Sequence, residues 1–306
     1  MSDAVLAQYV RDGVVESEHR GHLLALNADG SVNFSLGDPS HLIFPRSTVK
    51  CIQGAAMVEA GLQLEPRLLA MSASSHSGSV EHIAAVKEIL ALAKLDESAL
   101  QCMLDRPLGE AERRAWGDAP ATRIAMNCSG KHAAMLLTCV TNGWPIANYL
   151  EASHPLQLAI KSELESLSGQ AITLTSTDGC GAPLFLLSLA GLARAIRAIT
   201  ISTKPAHQLV MQASRAFPGM VAGKGRLTTQ MIEAVPGLYL KDGAEAVEVA
   251  SMTDGRTLVF KVSDGSLRPF RVLVHAGLNK LGIASPYEVE NVLGGDAVIG
   301  TIRATF

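Results

Sequence analysis

This sequence has little net charge and no long apolar run. Of its 306 residues 18% are charged, the formal net charge is −3, and Lys and Arg are scattered along the chain. Proteins that bind nucleic acid or an anionic membrane surface usually carry a basic patch, so we expect neither partner and favour a small-molecule substrate. The most apolar run, residues 182–193, is well short of the roughly 20 residues that a membrane-spanning helix needs. We predict a buried helix there.

Cysteines are few and odd in number, and common cofactor motifs are missing. There are five cysteines, and the first 22 residues contain no apolar stretch of signal-peptide length. We therefore expect reduced thiols and a cytoplasmic location. The glycine-rich segment 217–226 has neither the GxxxxGK[ST] nor the GxGxxG pattern. We expect no nucleotide and no organic cofactor.

Hydrophobic residues make up 48% of the chain, enough to bury a large core as one big domain or two small ones. Residues 21–26 and 31–36 flank an Asp-Gly turn and predict a β-hairpin. After Pro236, further Asp-Gly pairs separate short apolar segments. The strands predicted in that part are residues 238–240, 246–250, 257–262 and 297–304.

The middle of the chain is predicted to be mostly helical, roughly over residues 80–235, because apolar side chains recur there at helical spacing. One helix is expected to begin at or near Ser47 and to end before Gly61. A short strand is predicted at residues 171–175. The other predicted helices are residues 80–95, 132–141, 155–167, 184–199 and 271–281. The expected fold class is therefore α+β, one domain over residues 1–306, with a central antiparallel sheet from both chain ends packed by helices.

Ser47 and Lys50 form an SxxK spacing. On a helix this places the hydroxyl and the amine on one face, where a neutral lysine could deprotonate the serine. With 25 serines and 10 lysines in the chain, a chance match is expected, so the spacing alone means little. Its position at a predicted helix start, where the helix dipole favours an anion, strengthens the catalytic interpretation.

Two other polar features have ordinary interpretations when taken alone. The small-residue cluster 72–79 follows the apolar run 68–71, which predicts a strand, a loop and then a helix capped by Ser79. Lys261 lies between Phe260 and Val262 in a predicted strand, so its side chain should project from the opposite face to theirs. A lysine in that position is usually exposed to solvent.

The cysteines fall into two groups. Cys51, Cys102 and Cys139 have apolar neighbours and are expected to be buried in the core. Cys128 and Cys180 instead lie in glycine-containing turns, near Lys131 and His132 in one case and Asp178 in the other. Cationic neighbours lower a thiol pKa, so a cysteine nucleophile and a metal site both stay open. The signal for a metal is weak, because CxxC and HxxxH pairs are absent.

Taken together, these stretches show a resemblance that runs nearly end to end. The chain resembles the rhizobial or thermolabile type of L-asparaginase, the asparaginase II family, whose fold resembles serine β-lactamases and penicillin-binding proteins. The order and spacing of the matching stretches make chance an unsatisfactory explanation. They are residues 15–19, 36–39, 46–53, 75–78, 127–132, 154–157, 177–183, 220–226 and 261–265.

The resemblance implies two serine–lysine pairs, Ser47 with Lys50 and Ser75 with Lys261, in one pocket. Ser47 would be the nucleophile and Lys50 its base, while Ser75 and Lys261 would relay protons and polarise the substrate. The implied reaction is hydrolysis of the side-chain amide of L-asparagine to aspartate and ammonia, through an acyl-enzyme. A homodimer is also implied.

The resemblance further implies one zinc ion per chain, held by Cys128, Lys131 and Cys180. Lysine is an unusual zinc ligand because its amine must be neutral to offer a lone pair, and residue chemistry alone would choose His132 instead. A Cys–Lys pair at i and i+3 can nevertheless share one centre with a cysteine from another loop. Such an ion would orient the substrate rather than generate hydroxide.

The expected substrate contacts are charge-complementary to a free amino acid. Arg46 would suit the α-carboxylate and Asp178 the α-ammonium group, and Gly130 and His132 are expected to line the same pocket.

Two alternative functions remain. An amidohydrolase of other specificity, such as a glutaminase or a β-lactamase-like hydrolase, could use the same SxxK and strand lysine, but it should lack the paired cysteine loops. A non-catalytic zinc- or metabolite-binding protein could keep the scaffold, because a fold does not fix a function. Such a protein would be stabilised by its ligand without turning it over.

Overall fold

The computed structural model describes residues 3–286 and 289–306. The chain divides into two compact units. The first contains the two ends of the chain, up to residue 48 and from residue 234, together with residues 187–201. The second contains residues 49–186 and 202–233.

The strands, in chain order, are β1 (Ala4–Arg11), β2 (Val14–Leu26), β3 (Val32–Leu36), β4 (Leu42–Ile43), β5 (Thr175–Thr177), β6 (Pro183–Phe185), β7 (Leu187–Ser188), β8 (Leu238–Gly243), β9 (Val247–Met252), β10 (Thr257–Val262), β11 (Asn291–Gly294) and β12 (Ala297–Ala304).

The α-helices, in chain order, are α1 (Lys50–Glu59), α2 (Pro66–Ser72), α3 (Val80–Leu92), α4 (Glu110–Trp116), α5 (Ser129–Asn142), α6 (Pro155–Ser168), α7 (Leu189–Ile201), α8 (Pro205–Ala216), α9 (Pro218–Val221), α10 (Leu227–Ala234) and α11 (Phe270–Lys280).

The first unit is built on an antiparallel sheet. Its strands lie in the order β11-β12-β1-β2-β10-β9-β8, and β3 pairs with β2 beside that path. Helix α7 packs on β2, β9 and β10, and α11 packs on β1, β10 and β12. The predicted α+β class, with a central antiparallel sheet from both chain ends packed by helices, is therefore confirmed.

The predicted hairpin is present as β2 and β3, whose turn ends at Gly30 with a φ of 90°. A second hairpin joins β1 to β2 through Asp12 and Gly13, both at positive φ. An Asp-Gly pair favours such a turn because it tolerates that backbone conformation. In β10 the buried Phe260 and Val262 flank the half-buried Lys261.

The second unit is mainly helical, as predicted for the middle of the chain. Helix α1 packs against α5, α6 and α8, and α2 packs against α5 and α8. Strands β5 and β6 form a separate two-stranded pair. Of the helices in the described residues, none is both long and apolar enough to cross a membrane.

Three predicted segments are wrong in type or position. Residues 68–71 lie in helix α2 rather than in a strand, because Pro66 at the first helical position favours a helix start. The predicted helix 184–199 begins as strands β6 and β7 and becomes helical only at Leu189. The strand predicted at residues 171–175 overlaps β5 only at Thr175, because β5 runs from Thr175 to Thr177. Short apolar runs suit a buried strand and a buried helix equally well.

Candidate active site

The SxxK segment lies at a helix start, as predicted. Ser47 belongs to a 3₁₀ turn, Arg46–Val49, and α1 follows at once with Lys50. Ser47 is half-buried in the first unit. The backbone of Arg46 has a φ of 54°, a strained conformation for a residue with a side chain.

Lys50 is the centre of a buried polar cluster in the second unit. Its side chain is 1% exposed. The Nζ atom lies 2.6 Å from the Ser74 carbonyl oxygen, 2.9 Å from Ser75 Oγ and 2.9 Å from Cys128 Sγ. Three polar partners match the three positions that a lysine amine can offer. The structure therefore brings Lys50, Ser75 and Cys128 together.

The loop that carries Ser75 is held on both sides of it. The Ser75 N–H donates to the Val221 carbonyl at 2.8 Å, and the Ser77 N–H donates to the Ala222 carbonyl at 2.7 Å. Arg226 donates to the Ser75 carbonyl. The predicted cap is confirmed, because the Ser79 side chain accepts from the His82 backbone N–H in the first turn of α3. The backbone that carries Ser75 is thus held by contacts that sequence alone does not reveal.

His76 ties this loop to the start of α5. Its Nε2 lies 2.9 Å from Ser129 Oγ, and the Ser129 hydroxyl donates its proton to the Ile124 carbonyl at 2.8 Å. The hydroxyl must therefore accept from the ring, so His76 carries its hydrogen on Nε2. The ring stacks on His82 at 5.1 Å between centroids. No role for His76 is predicted from the sequence, although its position between two serines of the 72–79 cluster is a usable signal.

Cys128 and Cys180 meet in the same cluster. Cys128 directly precedes α5, and Cys180 lies in a turn closed by a 2.8 Å bond from the Asp178 N–H to the Ala182 carbonyl. Both are buried. A hydrogen bond from Cys128, together with the Lys131 ammonium, lowers the pKa of Cys180 well below its usual value despite burial. The arrangement favours a thiolate at Cys180.

Lys131 is the cation of this pair. It is 1% exposed, and its Nζ lies 3.3 Å from Cys180 Sγ. Burial alone would lower the pKa of Lys131, but the sulfurs of Cys180 and Cys128 and the Asp178 carboxylate outweigh burial and raise it. Asp178 is half-buried and its Oδ1 accepts from the Gly179 N–H at 2.8 Å. The buried Lys131 ammonium is thus stabilised by the neighbouring sulfurs and by the Asp178 carboxylate.

His132 completes the cluster. It is fully buried, and its Nδ1 lies 2.8 Å from the Tyr149 hydroxyl. The same hydroxyl accepts from the Gln101 N–H at 3.1 Å. Burial lowers the pKa of His132, with a smaller opposing effect from the Cys180 sulfur. The ring is therefore neutral in the physiological range.

Lys261 lies on β10 in the first unit. Its Nζ donates to the carbonyls of Glu245 and Val262, both at 2.6 Å. Burial lowers the pKa of Lys261, although Glu245 and Asp264 oppose this. Residue chemistry alone predicted an exposed lysine on a strand. The structure instead shows a half-buried amine that loses its proton more readily than usual.

A family model described as L-asparaginase II matches residues 7–298 of the chain. The chain belongs to the L-asparaginase II family. The sequence resemblance to that family is thus confirmed.

The chain was also compared with solved structures and with curated proteins. A β-lactamase from Mycobacterium bovis is 15% identical, with 85% of this chain and 94% of that chain covered and a TM-score of 0.45. A protein named as a candidate β-lactamase from Bacteroides dorei is 14% identical, with 79% and 84% covered and a TM-score of 0.44. The comparison with curated proteins gives no match.

The residues around the cysteine pair fit the zinc ion that the asparaginase II resemblance implies. Within residues 3–286 and 289–306, no three His, Cys, Asp or Glu side chains form a metal-binding group. The nitrogen next to the Cys180 sulfur is instead the Lys131 amine, at 3.3 Å. Two sulfurs with one nitrogen suit a borderline-soft ion such as Zn²⁺.

Gly130 is required by close packing in this asparaginase II chain. A Cβ at this position would lie 2.7 Å from Met71 Cε and 2.9 Å from the Met71 carbonyl oxygen. The methyl group can move, but the backbone oxygen cannot. We expect Gly130→Ala to lower the free energy of unfolding by about 1–3 kcal/mol, measured by urea denaturation. Gly219→Ala is the control, since nothing lies within 4 Å of its added Cβ; equal losses in both variants would contradict the packing argument.

Acidification is expected to destabilise the protein through His76. Burial, and then the nearby His82 and Lys50, lower the pKa of His76 well below 6.5. Between 6.5 and that lowered pKa, the unfolded chain binds a proton that the folded chain does not. The free energy of unfolding should therefore fall as pH falls, by about 1.4 kcal/mol per pH unit from this ring. Above the unfolded-state value the ring is neutral in both states and adds no pH dependence.

Urea denaturation at about pH 7 and about pH 5.5 measures this effect. His76→Gln should show a shallower decline in stability on acidification than the wild type. Equal declines in both proteins would show that His76 is not the source.

Proposed function

We propose that this chain hydrolyses the side-chain amide of L-asparagine to L-aspartate and ammonia through a serine–lysine acyl-enzyme. Membership of the L-asparaginase II family supports an amidohydrolase of the asparaginase type. The observation that carries the finer proposal is the buried Lys50 amine, 2.9 Å from Ser75 Oγ and three residues after Ser47 in a continuous helical segment. A buried amine in contact with a serine hydroxyl is the arrangement that lysine-assisted acyl transfer needs.

In the proposed reaction, Ser47 is the nucleophile and Lys50 its base. The Ser47 oxygen attacks the amide carbon of the substrate while its proton passes to Lys50. The carbon–nitrogen bond breaks, the leaving nitrogen takes that proton, and ammonia departs. Water then attacks the β-aspartyl ester and releases aspartate. Covalent catalysis replaces one difficult step by two easier ones.

Ser75 and Lys261 are proposed to relay protons and to polarise the substrate. The contact between Lys50 Nζ and Ser75 Oγ supports the relay, since a proton on one atom can pass to the other along this hydrogen bond. The lowered pKa of Lys261 supports its part, because an amine that loses its proton readily can both accept and donate one.

Recognition of asparagine is proposed to depend on its charged α-groups. Arg46 would pair with the α-carboxylate and Asp178 with the α-ammonium group. Gly130 and His132 are proposed to line the same pocket.

A zinc ion is proposed at Cys128, Lys131 and Cys180, one per chain. When bound, it would act as a Lewis acid that orients the substrate. The 3.3 Å approach of Lys131 Nζ to Cys180 Sγ supports this donor set. Metal binding would require both sulfurs as thiolates and the amine without its extra proton.

The proposed setting is a cytoplasmic homodimer. None of the five cysteines, all of which lie within the described residues, is in a disulfide, as expected for a protein of a reducing compartment. The homodimer stays a prediction from the family resemblance, and size-exclusion chromatography with light scattering would test it.

Ammonia release tests the proposed reaction. Purified protein of known zinc content is given L-asparagine, L-glutamine and a chromogenic β-lactam in parallel. The proposal expects turnover selective for asparagine. Preferential turnover of glutamine or of the β-lactam would assign another specificity, and stabilisation by asparagine without ammonia would indicate a binding protein.

A further inference from the structure

The turn between β8 and β9 has an unusual backbone. Gly243 pairs with Val247 across this hairpin, so residues 244–246 form its loop. Glu245 and Ala246 have φ values of 58° and 56°, and they are the only two consecutive non-glycine residues at positive φ in the part of the chain that the structure describes. Hairpin turns normally carry Gly, Asn or Asp at such positions. Contacts outside the loop must therefore hold this conformation.

The end of β10 holds this loop. The Val262 N–H donates to the Ala246 carbonyl at 2.9 Å. The Lys261 amine donates to the Glu245 carbonyl at 2.6 Å. Ala246 is fully buried, whereas the Glu245 side chain is exposed. Both residues at positive φ are thus tied to β10 through their carbonyl oxygens.

A second turn supplies the other acceptor of Lys261. Its Nζ also donates to the Val262 carbonyl at 2.6 Å. The same carbonyl accepts from the Gly265 N–H at 3.1 Å, which closes the turn after β10. The two turns pack closely, because a Cβ at Gly265 would lie 2.8 Å from Glu245 Oε2. The amine is thus held by two backbone carbonyls, which do not change their protonation state.

These two acceptors match the hydrogens of a neutral lysine amine. A neutral amine carries two hydrogens and a lone pair, and an ammonium group carries three hydrogens. With two hydrogens given to Glu245 and Val262, the third position of the Lys261 nitrogen gains or loses a proton while both hydrogen bonds stay. The geometry suits a group that exchanges a proton without moving.

The surroundings of the amine favour such an exchange. Burial lowers the pKa of Lys261, which favours the neutral form. The titratable groups that face the amine, three carboxylates that oppose this effect and one histidine directly opposite on β2, are Glu245, Asp264, Asp3 and His22.

We propose that the loop 244–246 is a positioning element for the reaction: through the Glu245 carbonyl, it fixes the Lys261 amine where its third position can exchange a proton. The strained backbone is what turns this carbonyl toward the amine. The role in the reaction rests on the part proposed for Lys261 in asparagine hydrolysis, whereas the contact between the loop and the amine does not.

Glu245→Val and Glu245→Asn form a matched pair. Both remove the carboxylate of an exposed side chain, and they differ in backbone preference, because asparagine tolerates positive φ and valine does not. Glu245→Val should turn the carbonyl away and lower kcat for asparagine by about 10–100-fold, since a misplacement of about 1 Å can cost roughly 100-fold. The KM should change little. Glu245→Asn should keep kcat within a few-fold of wild type, and equal losses in both variants would overturn the proposal.

The Lys261→Met background shows whether the loop acts through the amine. In that background Glu245→Val should lower kcat by no more than about two-fold, because the group that the loop positions is already gone. An undiminished loss there would reveal a general structural effect and overturn the proposal. Wild-type kcat in Lys261→Met itself would reject the proposed part of Lys261 in the reaction, and the positioning role with it.

Competitive acetylation tests the contact without relying on the reaction. Labelling of Lys261 is followed by peptide mass spectrometry over a range of pH, with Nα-acetyl-lysine as the standard. The pKa of Lys261 should lie below that of the standard in the wild type and in Glu245→Asn. In Glu245→Val it should rise toward the standard, because the amine is no longer held in its half-buried position. Equal pKa values of Lys261 in the two variants would overturn the proposal, even in a protein that released no ammonia from asparagine.

Discussion

Replacing Ser47 with alanine is expected to abolish ammonia release from asparagine, with a loss in kcat of roughly 10³-fold or more. The reason is that no oxygen remains to form the acyl-enzyme, so the two-step route closes. The KM for asparagine should change little, because recognition is assigned to charged groups elsewhere. Steady-state kinetics that separate kcat from KM measure both effects.

Ser74→Ala is the matched control. Ser74 is buried next to Lys50, but its hydroxyl donates to the Met71 carbonyl, and only its backbone oxygen contacts the lysine. Its activity should stay within a few-fold of wild type. Full activity in Ser47→Ala would reject the proposed nucleophile, and a comparable loss in Ser75→Ala alone would move that role to Ser75.

Replacing Lys50 with methionine is expected to lower kcat by roughly 10²–10⁴-fold, the usual contribution of a general base. Methionine fills similar volume without a polar atom. The variant loses the contacts to the Ser74 carbonyl, Ser75 Oγ and Cys128 Sγ at once.

Lys241→Met separates catalysis from the general cost of removing a buried lysine. Lys241 is fully buried on β8, where it pairs with Asp242 at 2.8 Å, and it has no proposed part in the reaction. We expect this variant to lose stability, measured by thermal unfolding, while the folded fraction keeps its kcat. Equal losses of kcat in both lysine variants, or wild-type kcat in Lys50→Met, would contradict the proposed base.

The fold was predictable where a local signal has one physical interpretation. Asp-Gly turns between apolar segments located the β2–β3 hairpin and the C-terminal strands, because few other pairs favour positive φ. Residues 184–188 were wrongly predicted to be helical. They form a short, largely buried apolar run, and such a run suits a buried strand as well as a buried helix. The prediction also omitted α8, although Pro205 at its first position is a helix-start signal.

Candidate residues of the site could be named from the sequence, but their contacts could not. Lys50 meets residues 25 and 78 positions away in sequence, and no local pattern encodes such a distance. The same applies to the two cysteine loops, which the sequence could identify as unusual but could not bring together. The Ser129 hydroxyl fixes the tautomer of the buried His76 ring, and this role follows only from counting hydrogen-bond donors and acceptors in three dimensions.

The most direct measurement of the central claim is to trap the acyl-enzyme during turnover of asparagine. The reaction is run with and without hydroxylamine, quenched in acid, and analysed by peptide mass spectrometry. A β-aspartyl ester on the peptide that contains Ser47, together with β-aspartyl hydroxamate in solution, is the predicted result. Ammonia release without any hydroxamate, or an ester on a peptide that lacks Ser47, would contradict the serine–lysine mechanism proposed for this chain.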